Sequence, residues 1–115
     1  MEITLTAVEG AVTLEGLALR DGKGLAGTMV VLVPKDLQKI PLLARRDQSD
    51  SDGSFSLQNV FPGDYTLVAL ANAWELDWSH PETMARYLPG GQTVTVSGQA
   101  SGSLRLPQPV AIQER

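Results

Sequence analysis

The chain has 115 residues, the size of one domain, and 43% of them are hydrophobic, which is enough for a core without disulfide or metal support. Its net charge is −4 and its one adjacent basic pair, Arg45-Arg46, is followed at once by acidic residues, so a nucleic-acid partner and insertion at an anionic membrane surface are disfavoured. The absence of cysteine excludes disulfides, thiol nucleophiles and zinc–thiolate sites.

No apolar run approaches the roughly 20 residues that a membrane-spanning helix needs. Residues 1–4 lack the basic start and the following apolar stretch of a signal peptide. We therefore expect either a cytosolic protein or one part of a longer exported chain. In both cases residues 1–115 are expected to form a single domain.

The first third of the chain is predicted to be extended. Residues 2–8 alternate apolar and polar side chains, which is the period of a half-buried strand, and residues 12–19 continue in extended form. Residues 21–24 hold two Xaa-Gly pairs and predict a tight turn. The β-branched run at residues 28–33 is apolar on both faces, so it predicts a central strand.

Turn residues separate the later elements. Pro41 interrupts the helical spacing of residues 35–43, which favours a loop with one helical turn. The Asp-rich segment before Gly53 and the pair Pro62-Gly63 predict two tight turns. Further strands are predicted at residues 42–48, 54–57, 65–70, 93–96, 101–106 and 110–112, the last of them at an edge of the sheet.

Residues 72–91 form the one long insertion between predicted strands. Within it, Ser79 and Glu82 have the spacing of a capping box, in which each side chain accepts a hydrogen bond from the backbone amide of the other residue. They predict a short helix over residues 83–88, which ends at a Pro-Gly-Gly run.

These elements add up to seven or eight short strands with turns at regular intervals. The sequence therefore predicts an all-β fold, an Ig-like or prealbumin-like antiparallel β-sandwich with one short helix in the long insertion.

Two segments carry a resemblance to a known family. GKGLAGTMVVL at residues 22–32, and DSDGSFSL at residues 50–57 with its continuation VFPGDYTLVA at residues 60–69, resemble the carboxypeptidase regulatory-like domain. The resemblance covers about residues 11–106 and implies a transthyretin-like or starch-binding-like β-sandwich. Members of this family often occur in tandem or as appendages of larger bacterial exported proteins.

The resemblance implies no catalytic residue, because its glycines and Tyr65 serve turns and corners rather than chemistry. His80 is the one histidine, and the sequence offers it no set of catalytic partners. We therefore expect a protein that is not an enzyme and that has no cofactor.

Asp47, Asp50 and Asp52, followed by a glycine, invite a calcium-binding interpretation. An EF-hand loop aligned on that glycine would place Gln48 at its first ligand position and Asn59 at its last, so the pattern fails at both ends. The favoured interpretation is a hairpin turn whose Asp side chains accept hydrogen bonds from local amides. A weak Ca²⁺ site is the alternative, and no metal site is predicted.

Aromatic residues concentrate in the long insertion, which holds Trp74, Trp78 and Tyr87. Such residues at the end of a sandwich can stack on sugar rings or anchor a partner. The alternative is that they cover the open end of the core, because tryptophan usually buries most of its area. If the chain has a ligand-binding surface, we expect these three residues to form it.

The sequence thus predicts a non-catalytic accessory module, structural or protein-interacting, of a larger bacterial envelope or secreted protein. The alternative is a carbohydrate- or peptide-binding module that uses the aromatic insertion. The expected partner is the rest of a parent chain or another protein, with a glycan under the alternative. The expected location is extracytoplasmic, in the periplasm or at the cell surface.

Overall fold

The computed structural model describes residues 12–71, 80–96, 103–106 and 108–114. The strand predicted at residues 2–8 lies outside the described residues. The strands are β1 (Val12–Arg20), β2 (Lys23–Gly24), β3 (Met29–Pro34), β4 (Arg45–Gln48), β5 (Ser54–Val60), β6 (Gly63–Ala71), β7 (Gln92–Val96), β8 (Ser103–Arg105) and β9 (Val110–Glu114).

The all-β prediction is confirmed, but the described residues form nine strands rather than seven or eight. The additional strand is β2, which the sequence placed entirely in a turn. Asp21 (φ 52°) and Gly22 (φ 79°) both have positive φ, so they form the two-residue loop of a type I′ hairpin. This turn pairs Arg20 with Lys23 and turns two presumed loop residues into a short strand.

The sandwich is not purely antiparallel, which corrects the prediction. In one layer, β5 and β2 pair with one edge of β1, and β8 pairs with the opposite edge of β1. The second layer has the strand order β4-β3-β6-β7. β8 runs parallel to β1, and β9 runs parallel to both β1 and β6. The period of two identifies a strand but does not encode its direction, so the sequence could not reveal this.

The last strand is not at an edge, contrary to the expectation for residues 110–112. β9 lies between the two layers, with Val110 opposite Ala18 of β1 and Ile112 opposite Ala69 of β6. It joins the layers along one side of the sandwich, which we call the closed side. Its position depends on contacts far away in the sequence, which local patterning does not contain.

The core has two parts that share the strands β3 and β6. Between the layers, Val30 and Leu32 of β3 pack with Leu67 of β6. On the outer face of the second layer, the alternate side chains of the same strands, such as Val31 and Val68, pack beneath the short helices. The prediction that residues 28–33 form a central strand buried on both faces is therefore confirmed.

Two helical segments cover that outer face. The first is a 3₁₀ turn at Leu37–Lys39 followed by a helix at Ile40–Leu43, which agrees with the single helical turn predicted there. The second is a helix at Pro81–Ala85 followed by a 3₁₀ turn at Leu88–Gly90. None of the helices in the described residues is long and apolar enough to span a membrane.

The second helix spans Pro81–Ala85, whereas the sequence predicted a helix over residues 83–88, and its cap also differs from the predicted one. Its N-cap is His80, with proline in its first turn, whereas the capping-box interpretation required Ser79 as the cap. Ser79 lies outside the described residues. The fixed φ of Pro81 favours the first helical position, which accounts for the shifted start.

Candidate functional site

The polar side chains with defined partners concentrate along the side of the sandwich opposite the closed side. Here β4 and β5 face each other, and none of the pairings in the described residues joins them. Asp47 Oδ2 accepts a hydrogen bond from the Ser56 N–H (2.8 Å), and Arg45 Nε donates to the Asn59 carbonyl oxygen (3.1 Å). Side chains therefore replace the backbone ladder on this side, which we call the open side.

Arg45 holds together one end of the open side. Besides the Asn59 carbonyl, its Nη1 donates to the carbonyl oxygens of Leu42 (3.1 Å) and Ala44 (2.8 Å). Its guanidinium carbon also lies 5.6 Å from the centroid of the Phe61 ring, within the range of a cation–π contact. A single guanidinium thus ties the helical turn before β4 to the turn between β5 and β6.

Tyr65 fixes the same turn from inside. Its hydroxyl donates to the Phe61 carbonyl oxygen (2.6 Å), and the residue is fully buried. Burial raises the pKa of the Tyr65 phenol above its ordinary value of 10.0, while the charge of Arg45 acts in the opposite direction. The tyrosine is a corner anchor, as the sequence predicted.

The Asp-rich turn between β4 and β5 is organised by its own carboxylates. Asp52 Oδ1 accepts from the Ser54 N–H (3.0 Å) and from the Ser54 hydroxyl (2.7 Å). These hydrogen bonds lower the pKa of Asp52, since they stabilise the charged form. The Asp50 carbonyl oxygen accepts from the Gly53 N–H (2.8 Å), and Gly53 has a φ of 88°, which favours glycine.

These contacts agree with the hairpin interpretation of the Asp-rich segment. Asp47 and Asp52 each accept hydrogen bonds from a backbone amide of β5. Within residues 12–71, 80–96, 103–106 and 108–114, no three His, Cys, Asp or Glu side chains are grouped closely enough to hold a metal ion. The Ca²⁺ alternative gains no support from this geometry.

A half-open groove runs beside this turn over the outer face of β1, β5 and β8. Its volume is about 480 Å³, and Arg105 Nη2 lies 4.0 Å from Glu15 Oε1 across it. Both side chains are well exposed, so this ion pair contributes little. The groove is lined by Glu15, Gly16, Asp47, Gln48, Asp50, Ser54, Phe55, Ser56 and Arg105.

Of the three residues predicted to form a ligand surface, Tyr87 alone lies within the described residues. Trp74 and Trp78 fall within residues 72–79 and lie outside the described residues. Tyr87 is only 6% exposed and packs in the outer part of the core with Met84. Ligand binding by the aromatic insertion therefore stays a prediction.

Sequence reasoning missed Arg45, which was noted only as half of a basic pair. One signal was available, because Arg45 and Asp47 are two residues apart and therefore share a face of β4. His80 is exposed at its helix cap. In the described residues, the side chains with the clearest geometry, namely Arg45, Asp47, Asp52 and Tyr65, are directed at backbone groups.

The fold and these contacts define the class of protein, which is a β-sandwich module. Residues 6–87 match the family described as BOS complex subunit NOMO1-like, second beta sandwich domain, and the chain belongs to that family. The family is a relative of the carboxypeptidase regulatory-like superfamily, so the predicted resemblance is confirmed at that level. No curated protein sequence matches this chain.

Similar solved structures come from larger proteins. The major pilin subunit BcpA of Bacillus cereus is 14% identical with a TM-score of 0.50, over 81% of this chain and 29% of the pilin. The TIE protein of Bacillus anthracis is 12% identical with a TM-score of 0.49, over 92% of this chain and 17% of that one. The plantain pollen allergen Pla l 1 is 18% identical with a TM-score of 0.46, over 86% of this chain and 96% of the allergen.

The chain thus spans less than a third of the two bacterial proteins that it resembles. At these identities the likeness concerns the fold alone, and of these three structures the BcpA pilin is the one whose TM-score supports it. Neither the description of the family nor the names of these proteins include a catalytic activity.

Proposed function

We propose that this chain is a non-catalytic β-sandwich module of a larger extracytoplasmic protein, in which it acts as a spacer or a protein-interaction domain. The observation that carries the proposal is the course of the described chain. β1 starts opposite Val60, at the end of the sandwich where β6 also starts, and β9 finishes opposite Ala71 at the other end. A module with this course adds about 30 Å, the length of a nine-residue strand, to its parent chain.

The use of the polar side chains supports the non-catalytic part of the proposal. Catalysis needs a base or nucleophile that is aimed at a substrate, with partners that tune it. Asp47, Asp52, Arg45 and Tyr65 instead bind backbone amides and carbonyls of this chain. Their chemistry stabilises the open side and the end turns.

A bacterial envelope or secreted parent is the finer part of the proposal. It is supported by the likeness to the BcpA pilin subunit and by membership in a family described as a second sandwich domain. Both imply a parent with more than one domain.

The proposal is tested by the size and location of the native polypeptide. An antibody raised against this chain, used on fractionated cells of the source organism, should detect a band well above 12.3 kDa in the envelope or secreted fraction. A 12.3 kDa band confined to the cytosol would overturn the proposal. The purified 115-residue chain, loaded on the same gel, serves as the size control.

Ligand binding by residues 72–91 is the second proposal. Its support is that residues 72–79, which contain both tryptophans, are flanked by β6, which ends at Ala71, and by the helix Pro81–Ala85, which packs on the core through Met84. Titration of tryptophan fluorescence with a glycan and peptide panel should show saturation that Trp74→Ala and Trp78→Ala each weaken. Unchanged fluorescence across the panel would reject it.

A further inference from the structure

The strand β9 covers only one half of the closed side. It pairs with β1 at Ala18 and Leu19 and with β6 at residues 69–71, which are the later parts of both strands. Along the earlier parts, β8 pairs with β1 at residues 13–15, and β7 pairs with β6 at residues 63–67. No pairing among the described residues joins β7 to β8. We call the space between these two strands the β7–β8 gap.

The backbone of β7 directs hydrogen-bonding groups into this gap. The Lys35 N–H donates to the Asp64 carbonyl oxygen (3.0 Å), so the backbone groups of Asp64 face β3. By alternation, the next residue of β6 faces β7, where its partner is Val94. The N–H and C=O groups of Thr93 and Thr95, on either side of Val94, therefore face away from β6 and into the gap.

The backbone of β8 does the same from the other side. The Leu106 N–H donates to the Glu15 carbonyl oxygen (2.9 Å), so the groups of Leu106 and of Leu104, two residues earlier, face β1. The groups of Ser103 and Arg105 then face the gap. Two strand edges with available donors and acceptors are a template for a further strand.

The side chains beside the gap alternate between apolar and polar. Val94 and Val96 are buried, and Leu104 and Leu106 are partly buried against the core between the layers. The residues between them in β7 and β8 are exposed. β7 also has no charged residue or proline of the kind that protects a strand edge. A strand that fills the gap must therefore place apolar side chains at every second position.

Residues 2–8 have this pattern. Ile3, Leu5 and Ala7 alternate with polar residues, which is the period of a strand with one buried face. The match to the sandwich family begins at residue 6, inside this segment, which supports its belonging to the domain.

The position of Val12 limits where the segment can lie. Four Cα–Cα steps join residue 8 to Val12, and they span at most about 14 Å. The gap is two strand spacings from β1, about 10 Å, because β8 lies between them. On the other edge of β1, the carboxylates of Asp47 and Asp52 already occupy amides on the free edge of β5. The β7–β8 gap is therefore within reach, and the corresponding position beside β5 is blocked.

We propose that residues 2–8 lie in the β7–β8 gap of their own chain as a further strand, with Ile3, Leu5 and Ala7 facing the core. The strand is antiparallel to β8 and parallel to β7, since the chain must reverse before it enters β1, and Gly10 allows such a reversal. It extends the closed side to the end of the sandwich and covers an uncharged edge that would otherwise recruit other chains. The inference is independent of the proposed function, because it concerns this chain alone.

Hydrogen exchange of the purified 115-residue chain, followed by NMR, tests the proposal. The amides that face the gap should exchange at least about tenfold more slowly than amides of an unstructured peptide, because the added strand supplies their acceptors. These amides belong to Thr93, Thr95, Ser103 and Arg105.

Two variants at adjacent positions provide the decisive comparison. Leu5→Asp places a charge on the face directed at the core and should accelerate exchange of the gap amides at least about tenfold, since it loses the burial of one leucine. Thr6→Asp introduces the same group on the outward face and should change these rates less than about threefold. Equal acceleration by both variants, or unchanged rates in both, would overturn the proposal.

A local effect must be separated from general unfolding. Val31 and Val68 pair in the central strands, so their amides report global opening, and the rates of the gap amides are judged relative to theirs. If Leu5→Asp does not fold, Leu5→Ala replaces it and should accelerate the gap amides in the same direction.

The dependence on protein concentration identifies which chain supplies the strand. Protection by residues of the same chain should be constant between about 0.05 and 1 mM, because the contact is intramolecular. Protection that grows with concentration would overturn the proposal, since the strand would then come from a second copy.

Discussion

The two sides of the sandwich are joined in different ways. On the closed side, β9 pairs with β1 through Val110 and Ala111 and with β6 through residues 112–114, so backbone hydrogen bonds connect the layers. On the open side, β4 and β5 face each other without a ladder, and the side chains of Arg45 and Asp47 make the connection. One side therefore depends on backbone geometry, and the other depends on residue identity.

This difference teaches how the fold protects its strand edges. An open edge with free N–H and C=O groups is a template for association with another chain. Asp47 and Asp52 occupy the amides of Ser56 and Ser54 on the exposed edge of β5. The open side is thus kept polar and blocked by carboxylates, whereas the closed side has a paired strand instead.

The largest expected effect comes from breaking the closed side. Ala111 is exposed, so Ala111→Pro removes a backbone N–H from β9 without altering the core. Proline in this paired strand removes a ladder donor and leaves its acceptor without a partner, so the free energy of unfolding should fall by about 2–3 kcal/mol. Urea denaturation of the variant and the wild type provides the measurement.

Gln48→Pro in β4 is the matched control on the open side. The Ser49 N–H donates to the Thr28 carbonyl oxygen (3.0 Å), so alternation along the strand directs the Gln48 N–H away from β3. We expect a cost of less than about 1 kcal/mol, because no ladder bond is lost. Equal costs for the two proline variants would contradict the distinction between the sides.

On the open side, Asp47→Ala should have the next largest effect. It leaves the partly buried Ser56 N–H without its acceptor, at a cost of about 1–2 kcal/mol in the free energy of unfolding. Asp50→Ala is the control, since the nearest side-chain contact of Asp50 is 3.4 Å long, and it should change stability by less than about 0.5 kcal/mol. Chemical denaturation at neutral pH measures the free energy of unfolding of both variants. If Asp50→Ala lowered it as much as Asp47→Ala, the specific hydrogen bond between Asp47 and the Ser56 N–H would be contradicted.

Arg45→Lys should have a smaller effect because it keeps the positive charge. An ammonium group cannot reach three carbonyl oxygens and stack on Phe61 as the planar guanidinium does, so we expect a loss of about 1 kcal/mol. Arg105→Lys is the control, with a side chain that is 75% exposed. Thermal denaturation should leave that control unchanged, and equal melting temperatures for all three proteins would argue against the role of Arg45.

The smallest expected effect is on the dependence of folding stability on pH. The Ser54 amide and hydroxyl hold the pKa of Asp52 below its ordinary value of 3.8, so the folded chain binds that proton less readily than the unfolded chain. This contribution is present above the ordinary pKa and is lost as pH falls through the lowered one. Asp52→Asn cannot titrate, so between about pH 6 and pH 3 its stability should fall less than that of the wild type. An equal fall in both proteins would exclude this carboxylate as a source of acid sensitivity.

Some parts of the candidate site could be predicted from the sequence. The hairpin role of the Asp-rich turn followed from Asp and Gly, whose local hydrogen bonds and positive φ are properties of a few adjacent residues. The exposure of Leu42 was not predicted, because the sequence pattern placed this residue at the start of a strand over residues 42–48, whereas it lies in the helix Ile40–Leu43. It is exposed because the helix Ile40–Leu43 has a single turn, in which Ile40 already occupies the buried position.

By itself, the sequence determined where this chain is extended and where it turns. Alternation, β-branched runs and the positions of Gly, Pro and Asp act over a few residues, so they located β3, β6 and the two central turns. Only the tertiary structure decided which strands are neighbours, that β9 lies between the layers, and that Arg45 and Asp47 connect the open side. Those outcomes depend on contacts between residues far apart in the chain, and such contacts exist only after the layers have packed.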